Sequence, residues 1–264
     1  MKELKKETLH IIMPMAGGGT RFIDAGYDVP KPLIKLNGKE LYRRALDSIN
    51  ISDKFINIKY TFIIRQDFID NYNIDKEIKK YYPNSNIISI NYITRGALET
   101  VMLAKNFIND EDNVISLDCD IEFECQKYID HLRNKIINKQ YNPMVLSFYS
   151  KDPKYSYVKT IEDSLYGNYV VEKNPISTHA LGGCYYLGNG KTFKFCAKKV
   201  INDYNKNIIK DKELYLSLVY NYILKETNTY IEVIDMNLHN DHYWSYGTPE
   251  DYEKYNYNRN VWDD

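Results

Sequence analysis

Residues 11–33, IIMPMAGGGTRFIDAGYDVPKPL, join the end of an apolar run to a glycine loop and two separated cations. The apolar run begins at Leu9 and predicts a buried strand. The three glycines at 17–19 let backbone N–H groups approach an anion, because no Cβ atom intervenes. Arg21 and Lys31 follow as two separate cations, and the prolines on either side of Lys31 fix its backbone. This layout is typical of a loop that binds a polyphosphate.

The composition is typical of a soluble globular protein. The chain has 264 residues, 44% of them hydrophobic and 27% charged, which suffices for one large α/β domain or two packed lobes. A net charge of −1 provides no general basic surface, so nucleic acid is not an expected partner. No stretch reaches the roughly 20 apolar residues of a membrane span. The four cysteines form no CxxC pair, which predicts reduced thiols and a cytoplasmic location.

Strand and helix patterns alternate through the first half of the chain. Strands are predicted at 60–64 and 86–92, and helices at 40–49 and 67–80. This alternation is typical of a parallel sheet with helices on its faces.

Two candidate binding motifs follow predicted strands in this half. Gly96 follows the strand at 86–92 and opens a predicted helix. It would let a flat nucleobase lie against the backbone at the sheet edge where α/β proteins bind ligands, although a plain turn is the alternative.

The strand at 114–117 ends in Asp118-Cys119-Asp120. Two neighbouring carboxylates favour a shared cation, which predicts a Mg²⁺ site, and a solvated acidic loop is the alternative.

The second half changes to short strands with hairpin turns. Strands are predicted at 144–149, 155–160 and 169–172, with residues 166–168 in a turn, and this spacing predicts antiparallel additions to the sheet. Glu172 and Lys173 are adjacent at the end of the last strand, so their side chains are expected on opposite faces. The remaining pattern predicts helices at 192–204 and 212–225 and a strand at 230–234.

The extended loop resembles the signature of the sugar-phosphate nucleotidyltransferases, which join a nucleoside triphosphate to a phosphorylated sugar and release pyrophosphate. Neither the Gly-Lys-Ser/Thr of a Walker A loop nor the glycine spacing of a Rossmann fingerprint is present. The resemblance extends over about residues 8–255. The motifs that carry it, in the family's order, are Gly17–Thr20 with Arg21 and Pro30-Lys31-Pro32, Gly96-Ala97, Asp118-Cys119-Asp120, Glu172-Lys173 with Gly182-Gly183, and Trp244–Pro249.

The resemblance implies a fold and a domain arrangement. The expected fold is a GT-A-like and Rossmann-like α/β/α sandwich with a mixed, mainly parallel central sheet. Residues 1–264 are expected to form one nucleotidyltransferase domain. Its nucleotide-binding half would cover about 8–125, and its sugar-phosphate-binding half about 140–255.

The resemblance also implies an activity, which is the synthesis of a nucleoside-diphosphate sugar, a precursor of glycans or polysaccharides, with Mg²⁺ as cofactor. A pyrimidine triphosphate is favoured at the base site, and homo-oligomer formation is left open. The implied catalytic residues are Arg21, Lys31 and Asp120. The implied nucleotide contacts are Ala16, Gly17, Gly18, Gly19, Thr20, Gly96 and Ala97; the sugar-phosphate contacts are Glu172, Lys173 and Gly183; and the metal ligands are Asp120 and Asp118.

One departure from the family pattern leaves alternatives open. In the family's Trp-x-Asp-x-Gly-Thr-Pro motif the aspartate is a second metal ligand, and here Ser245 stands in its place. Asp241 or Asp251 could substitute, or the metal could rest on Asp120 and phosphate oxygens. A nucleotide-binding module without turnover is a third reading. The Asp118–Asp120 motif also fits a metal-dependent GT-A glycosyltransferase, and the loop is compatible with a phosphorylated acceptor that is not a sugar.

Overall fold

The computed structural model describes residues 6–17, 20–162, 164–236 and 241–262. The strands are β1 (Glu7–Met15), β2 (Lys35–Leu36), β3 (Lys39–Glu40), β4 (Ile56–Arg65), β5 (Asn86–Ile90), β6 (Asn113–Leu117), β7 (Ile121–Glu124), β8 (Met144–Tyr149), β9 (Ser156–Thr160), β10 (Tyr166–Glu172), β11 (His179–Asn189), β12 (Ile231–Asp235) and β13 (His242–Ser245). The α-helices are α1 (Thr20–Asp24), α2 (Leu41–Asp47), α3 (Gln66–Tyr72), α4 (Ile74–Tyr81), α5 (Ala97–Met102), α6 (Gln126–Ile137), α7 (Gly190–Asn205), α8 (Leu218–Thr227) and α9 (Pro249–Trp262). Short 3-10 helices cover Lys31–Leu33 and Leu103–Phe107.

The side chains of strand β1 are buried on both faces of the main sheet. Leu9, Ile11 and Met13 belong to an apolar cluster on one face, whereas Ile12 belongs to the cluster on the other. Successive side chains of a strand point to opposite faces, so a continuous apolar run supplies both clusters. The predicted buried strand is therefore present, and it starts at Glu7, two residues before the apolar run.

The main sheet of the described residues has the strand order β5-β4-β1-β6-β11-β8-β12-β10-β9, and β9 also pairs with β11. Strands β5, β4, β1 and β6 are mutually parallel, as is the pair β8 and β12. Strand β11 runs antiparallel to both of its sheet neighbours, and β9 and β10 form an antiparallel hairpin. The predicted mixed α/β fold is confirmed, with a parallel first half and a largely antiparallel second half.

Helices cover both faces of this sheet. Helices α2, α3, α4 and α6 contribute to the cluster that contains Leu9, and α5, α7 and α8 contribute to the cluster that contains Ile12. A third, smaller cluster packs Phe22 of α1 against Tyr246 and Tyr252 near the end of the chain. This cluster anchors the segment that follows the glycine loop. None of the described helices is long and apolar enough to cross a membrane.

Three predicted elements differ from the structure. The helix predicted at 67–80 is two helices, because Asn73 adopts a left-handed backbone with φ 51°, which asparagine tolerates. The turn predicted at 166–168 is part of β10 and contains a register shift. The helix predicted at 212–225 begins only at Leu218, because the backbone of Leu214 is hydrogen-bonded to Arg95 and Leu98 at the start of α5 instead.

Candidate active site

The carboxyl ends of the parallel strands bring the predicted motifs to one edge of the sheet. Ala16 and Gly17 follow β1, Gly96 lies at the N-terminus of α5 after β5, and Asp118 follows β6. Ligands of open α/β sheets bind at this edge, because the loops after parallel strands meet there. The topology therefore gathers sequence motifs that are up to about a hundred residues apart.

Lys31 and Asp120 form an ion pair at the centre of this edge. Lys31 Nζ lies 2.6 Å from Asp120 Oδ2, and the two side chains are 25% and 17% exposed. Burial acts to lower the pKa of Lys31, but the charges of Asp120 and Asp118 and the hydrogen bond to Asp120 outweigh it and raise the pKa. Lys31 is therefore a permanent cation next to two carboxyl groups.

Asp118 is held in a crowded position beside β11. Its backbone N–H donates to the carbonyl of Gly183 at 2.9 Å. Gly183 has φ +72°, and a Cβ atom placed on it would lie 2.8 Å from Asp118 Oδ2. Burial and the neighbouring charge of Asp120 raise the pKa of Asp118 to about 7, against the lowering effect of Lys31. A carboxyl group with a raised pKa next to a second carboxylate is an arrangement that a divalent cation would stabilise.

Two cavities open at this edge. The larger, of about 790 Å³, is lined by Pro14, Ala16, Gly17, Lys31, Ile93, Thr94, Arg95, Gly96, Ala97, Thr100, Asp118, Cys119, Asp120, Lys173, Lys212 and Glu213. The smaller, of about 240 Å³, is lined by Ala97, Asp118, Asp120, Ile121, Lys154, Tyr155, Ser156, Glu172, Lys173, Leu181, Gly183, Tyr185, Tyr215, Leu216, Ser217, Tyr243 and Ser245. Both cavities border Ala97, Asp118, Asp120 and Lys173. Two ligands could therefore meet at the carboxylates.

The predicted nucleotide residues fall into three groups. Ala16, Gly17, Gly96 and Ala97 line the larger cavity. Gly18 and Gly19 lie outside the described residues, as does the side chain of Thr20, whose backbone begins α1. Arg21 is exposed on α1 and is not among the residues that line either cavity. Its predicted contact with phosphates stays a prediction.

Gly96 also has a packing role that the sequence did not indicate. A Cβ atom on Gly96 would lie 2.6 Å from the carbonyl oxygen of Leu214. Leu214 N–H donates to Arg95 O at 2.9 Å, and Leu98 N–H donates to Leu214 O at 3.0 Å. Only glycine permits this close approach of two backbones. The close packing gives Gly96 a structural function whether or not a base also contacts it.

Glu172 and Lys173 line the same cavity, which corrects the expectation of opposite faces. Strand β10 ends at Glu172, and Lys173 has a left-handed backbone with φ 55°. The alternation of a strand therefore does not extend to Lys173. Its Nζ donates to the carbonyl of Lys154, and the ammonium group lies 5.7 Å from the centre of the Tyr215 ring.

Several cavity residues were not predicted from the sequence. Tyr243 lines the smaller cavity from β13, Ser156 lines it from β9, and Lys212 lines the larger one. Tyr215 and Ser217 come from the segment that was predicted to be helical. None of them belongs to a spacing pattern, since each reaches the site through the packing of its element. The related feature of the sequence is its high number of tyrosines, 26 in the chain, which does not indicate which of them line a cavity.

The candidates for a second metal ligand have different partners in the structure. Ser245 and Asp120 both line the smaller cavity, and a Cβ atom placed on Gly247 would lie 3.6 Å from Asp120 Oδ2 and from Ser245 Oγ. Asp251 pairs with Lys154 at 3.3 Å, and Asp241 accepts a hydrogen bond from the Cys125 thiol. The described residues contain no group of three or more His, Cys, Asp or Glu side chains placed to hold a metal ion.

Solved structures of nucleotidyltransferases share this fold. A nucleoside-diphosphate-sugar pyrophosphorylase from Vibrio cholerae RC9 is 22% identical over 93% of this chain and 98% of its own, with a TM-score of 0.73. An inositol-1-phosphate CTP transferase from T. maritima is 15% identical over 94% and 92%, with a TM-score of 0.66. A UTP-bound UGPase from Acinetobacter baumannii is 14% identical over 96% and 93%, with a TM-score of 0.68.

These likenesses establish the fold of the sugar-phosphate nucleotidyltransferases for this chain, and the predicted resemblance is confirmed at that level. No protein family model and no curated protein matches the sequence.

Proposed function

We propose that the chain is a nucleotidyltransferase that joins a nucleoside triphosphate and a sugar-1-phosphate into a nucleoside-diphosphate sugar and pyrophosphate. The observation that carries this proposal is that a larger and a smaller cavity meet at Asp118, Asp120 and Lys173. The larger cavity has the size expected for a nucleotide. The similarity in fold to a nucleoside-diphosphate-sugar pyrophosphorylase and to an inositol-1-phosphate CTP transferase also supports it.

The proposed reaction is an in-line displacement at the α-phosphorus. An oxygen of the acceptor phosphate forms a bond to this phosphorus, while the bond to the α,β-bridging oxygen breaks and pyrophosphate leaves with the electron pair. Two anions must approach each other, so the protein contributes positioning and charge neutralisation. Lys31 would neutralise charge near the α-phosphate, Arg21 and the glycine-loop amides would hold the β- and γ-phosphates, and Lys173 would guide the acceptor phosphate.

Mg²⁺ is the proposed cofactor. The carboxyl groups of Asp118 and Asp120 and the hydroxyl of Ser245 line the same cavity and would offer oxygen donors, which this ion prefers. Asp120 would be its main ligand and Asp118 a second. When bound, the ion would neutralise negative charge on the phosphates of the substrates.

The proposal includes further predictions about the whole protein. The architecture would be a GT-A-like, Rossmann-like α/β/α sandwich, in one domain with a nucleotide-binding half at about 8–125 and a sugar-phosphate-binding half at about 140–255. A pyrimidine triphosphate, a cytoplasmic location and a role in polysaccharide precursor synthesis are also proposed. Homo-oligomer formation stays an open prediction.

The decisive experiment measures pyrophosphate release with Mg²⁺ for ATP, GTP, CTP, UTP and dTTP, each against a panel of sugar-1-phosphates and phosphocholine. Release that requires one triphosphate and one acceptor together is the expected result. Lys31→Ala is expected to fold normally and to lower turnover by about 10²-fold, the scale of losing one electrostatic donor in an active site. Silence of the natural sequence across the panel contradicts the proposal. Cleavage of a nucleotide sugar without pyrophosphate would indicate the glycosyltransferase alternative.

A further inference from the structure

Glu172 has an unusual environment for a buried carboxylate. The residue is 8% exposed at the end of β10 and borders the smaller cavity. Its hydrogen-bond partners in the described chain are two hydroxyl groups rather than a lysine or arginine. Buried carboxylates are usually paired with cations, because an unpaired buried charge is costly. None of the ion pairs among the described residues includes Glu172, although the charge of Lys173 favours its ionised form.

The first hydroxyl belongs to Ser156. Glu172 and Ser156 are directly opposite each other in the antiparallel hairpin of β9 and β10. Ser156 Oγ donates to Glu172 Oε1 at 2.6 Å. Directly opposed residues of a hairpin have neighbouring side chains, so the strand register fixes this contact.

The second hydroxyl belongs to Ser217, which lies immediately before α8 and is 2% exposed. A serine at this position usually accepts a hydrogen bond from the first turn of the helix. Ser217 makes no such capping bond, and its Oγ donates to Glu172 Oε1 instead. The hydroxyl is therefore diverted from stabilising its own helix to holding the carboxylate.

Both serines bind the same oxygen, which constrains the orientation of the carboxylate. In the described chain no donor to Oε2 accompanies the two donors to Oε1. The carboxylate therefore retains an acceptor oxygen for a ligand in the smaller cavity. Burial raises the pKa of Glu172, and the two hydroxyl bonds act in the opposite direction by favouring the ionised form.

We propose that Ser156 and Ser217 are positioning residues that hold Glu172 in the orientation in which it accepts hydrogen bonds from the phosphorylated acceptor. This inference rests on the proposed function, because it takes the smaller cavity to be the acceptor site. The chemical class it implies is an acceptor that presents hydroxyl or N–H donors to Glu172. The contact between Glu172 and the two serines does not include the proposed nucleotide site. The affinity for the nucleoside triphosphate should therefore be independent of both serines.

The test compares Ser156→Ala and Ser217→Ala with the natural sequence, using the triphosphate and the panel acceptor that give the fastest pyrophosphate release. Each substitution should raise the KM for the acceptor about tenfold, as expected for weakening one hydrogen bond to a charged group. The KM for the triphosphate and kcat should stay within about twofold, because the lost interaction contributes mainly to binding of the acceptor. Ser156→Thr retains a hydroxyl group and suits a strand, so its KM for the acceptor should be close to that of the natural sequence and not to that of Ser156→Ala.

Thr227→Ala is the matched control. Its hydroxyl donates to Ile223 O at 2.7 Å within α8, so the substitution removes a hydroxyl bond from the same helix without affecting Glu172. If Ser217→Ala does not fold, Ser156→Ala still decides the outcome. Unchanged acceptor KM in a folded Ser156→Ala variant, or an equal rise in both KM values, overturns the positioning role alone. Absence of activity in the natural sequence with every pair overturns the proposed function and this inference together.

Discussion

Gly183 shows how one backbone position controls the candidate site. It combines a left-handed backbone, at φ +72°, with a position at which an added Cβ atom would lie 2.8 Å from the carboxylate of Asp118. Gly38 has nearly the same backbone, at φ +75°, but a Cβ atom there would meet no atom within 4 Å. The two glycines therefore allow the cost of backbone strain to be separated from the cost of displacing Asp118.

We expect Gly38→Ala to lose about 1 kcal/mol of stability, because an L-residue is strained in this conformation. Gly183→Ala should lose more, because its methyl group would also displace Asp118. Only Gly183→Ala should also lower kcat for pyrophosphate release, by about tenfold or more, since the new methyl group would push Asp118 aside. Urea unfolding and steady-state kinetics measure the two effects. A similar kcat for both variants would mean that the position of Asp118 does not matter for turnover.

At the scale of elements, an ion pair joins α2 to β7, the strand that follows Asp120. Arg44 donates from Nε to Glu122 Oε2 at 2.7 Å and from Nη2 to Glu122 Oε1 at 2.8 Å. Tyr246 donates its hydroxyl to the same carboxylate at 2.7 Å, and its N–H donates to Asp120 O, also at 2.7 Å. The network thus connects α2, β7 and the segment before α9 to the backbone of Asp120.

Replacing Arg44 by Leu should therefore destabilise the protein by about 3 kcal/mol, since the carboxylate of Glu122 would lose its bidentate partner in a nearly buried site. The double variant Arg44→Leu, Glu122→Leu should recover much of this loss, because it removes the charge as well as its partner. Chemical denaturation of the natural sequence, both single variants and the double variant measures this coupling. Additive effects of the two single substitutions would show that the pair is not coupled.

At the scale of the whole molecule, a buried histidine links stability to pH. His10 lies at the centre of β1, is fully buried and contacts Thr61 through Nε2 at 2.8 Å. Burial lowers the pKa of His10 below its ordinary value of 6.5, and the charge of Lys59 adds to this, against the opposing effect of Asp112. The unfolded chain therefore binds a proton more readily than the folded one, and this contribution to stability is present above pH 6.5 and lost as the pH falls.

Between about pH 7.5 and about pH 5.5, the free energy of unfolding of the natural sequence should fall by about 1 kcal/mol relative to that of His10→Gln. Glutamine retains a polar group that can reach Thr61 but does not titrate. Other titrating groups are common to both proteins, so the difference between the two curves isolates His10. Urea unfolding across this pH range provides the measurement, and parallel curves would contradict the assigned shift.

Much of the fold, and the meeting of several motifs at one edge of the sheet, was predictable, because the decisive signals are local. The apolar run of β1 and the strand before Asp118 follow from hydrophobic patterns within about ten residues. Parallel strands place their following loops at one edge, so the approach of Lys31 to Asp120 follows from these local patterns and the topology.

The sequence by itself determined the class of fold, the glycine loop and the acidic edge of the sheet, since short stretches carry these features. Only the tertiary structure decided how the smaller cavity is built. Ser156 is 16 residues and Ser217 is 45 residues from Glu172, and no spacing rule joins them. The left-handed backbone at Lys173 and the approach of Leu214 to Gly96 were equally hidden. The physical reason is that these contacts depend on how helices and strands pack, which periodicity along the chain does not encode.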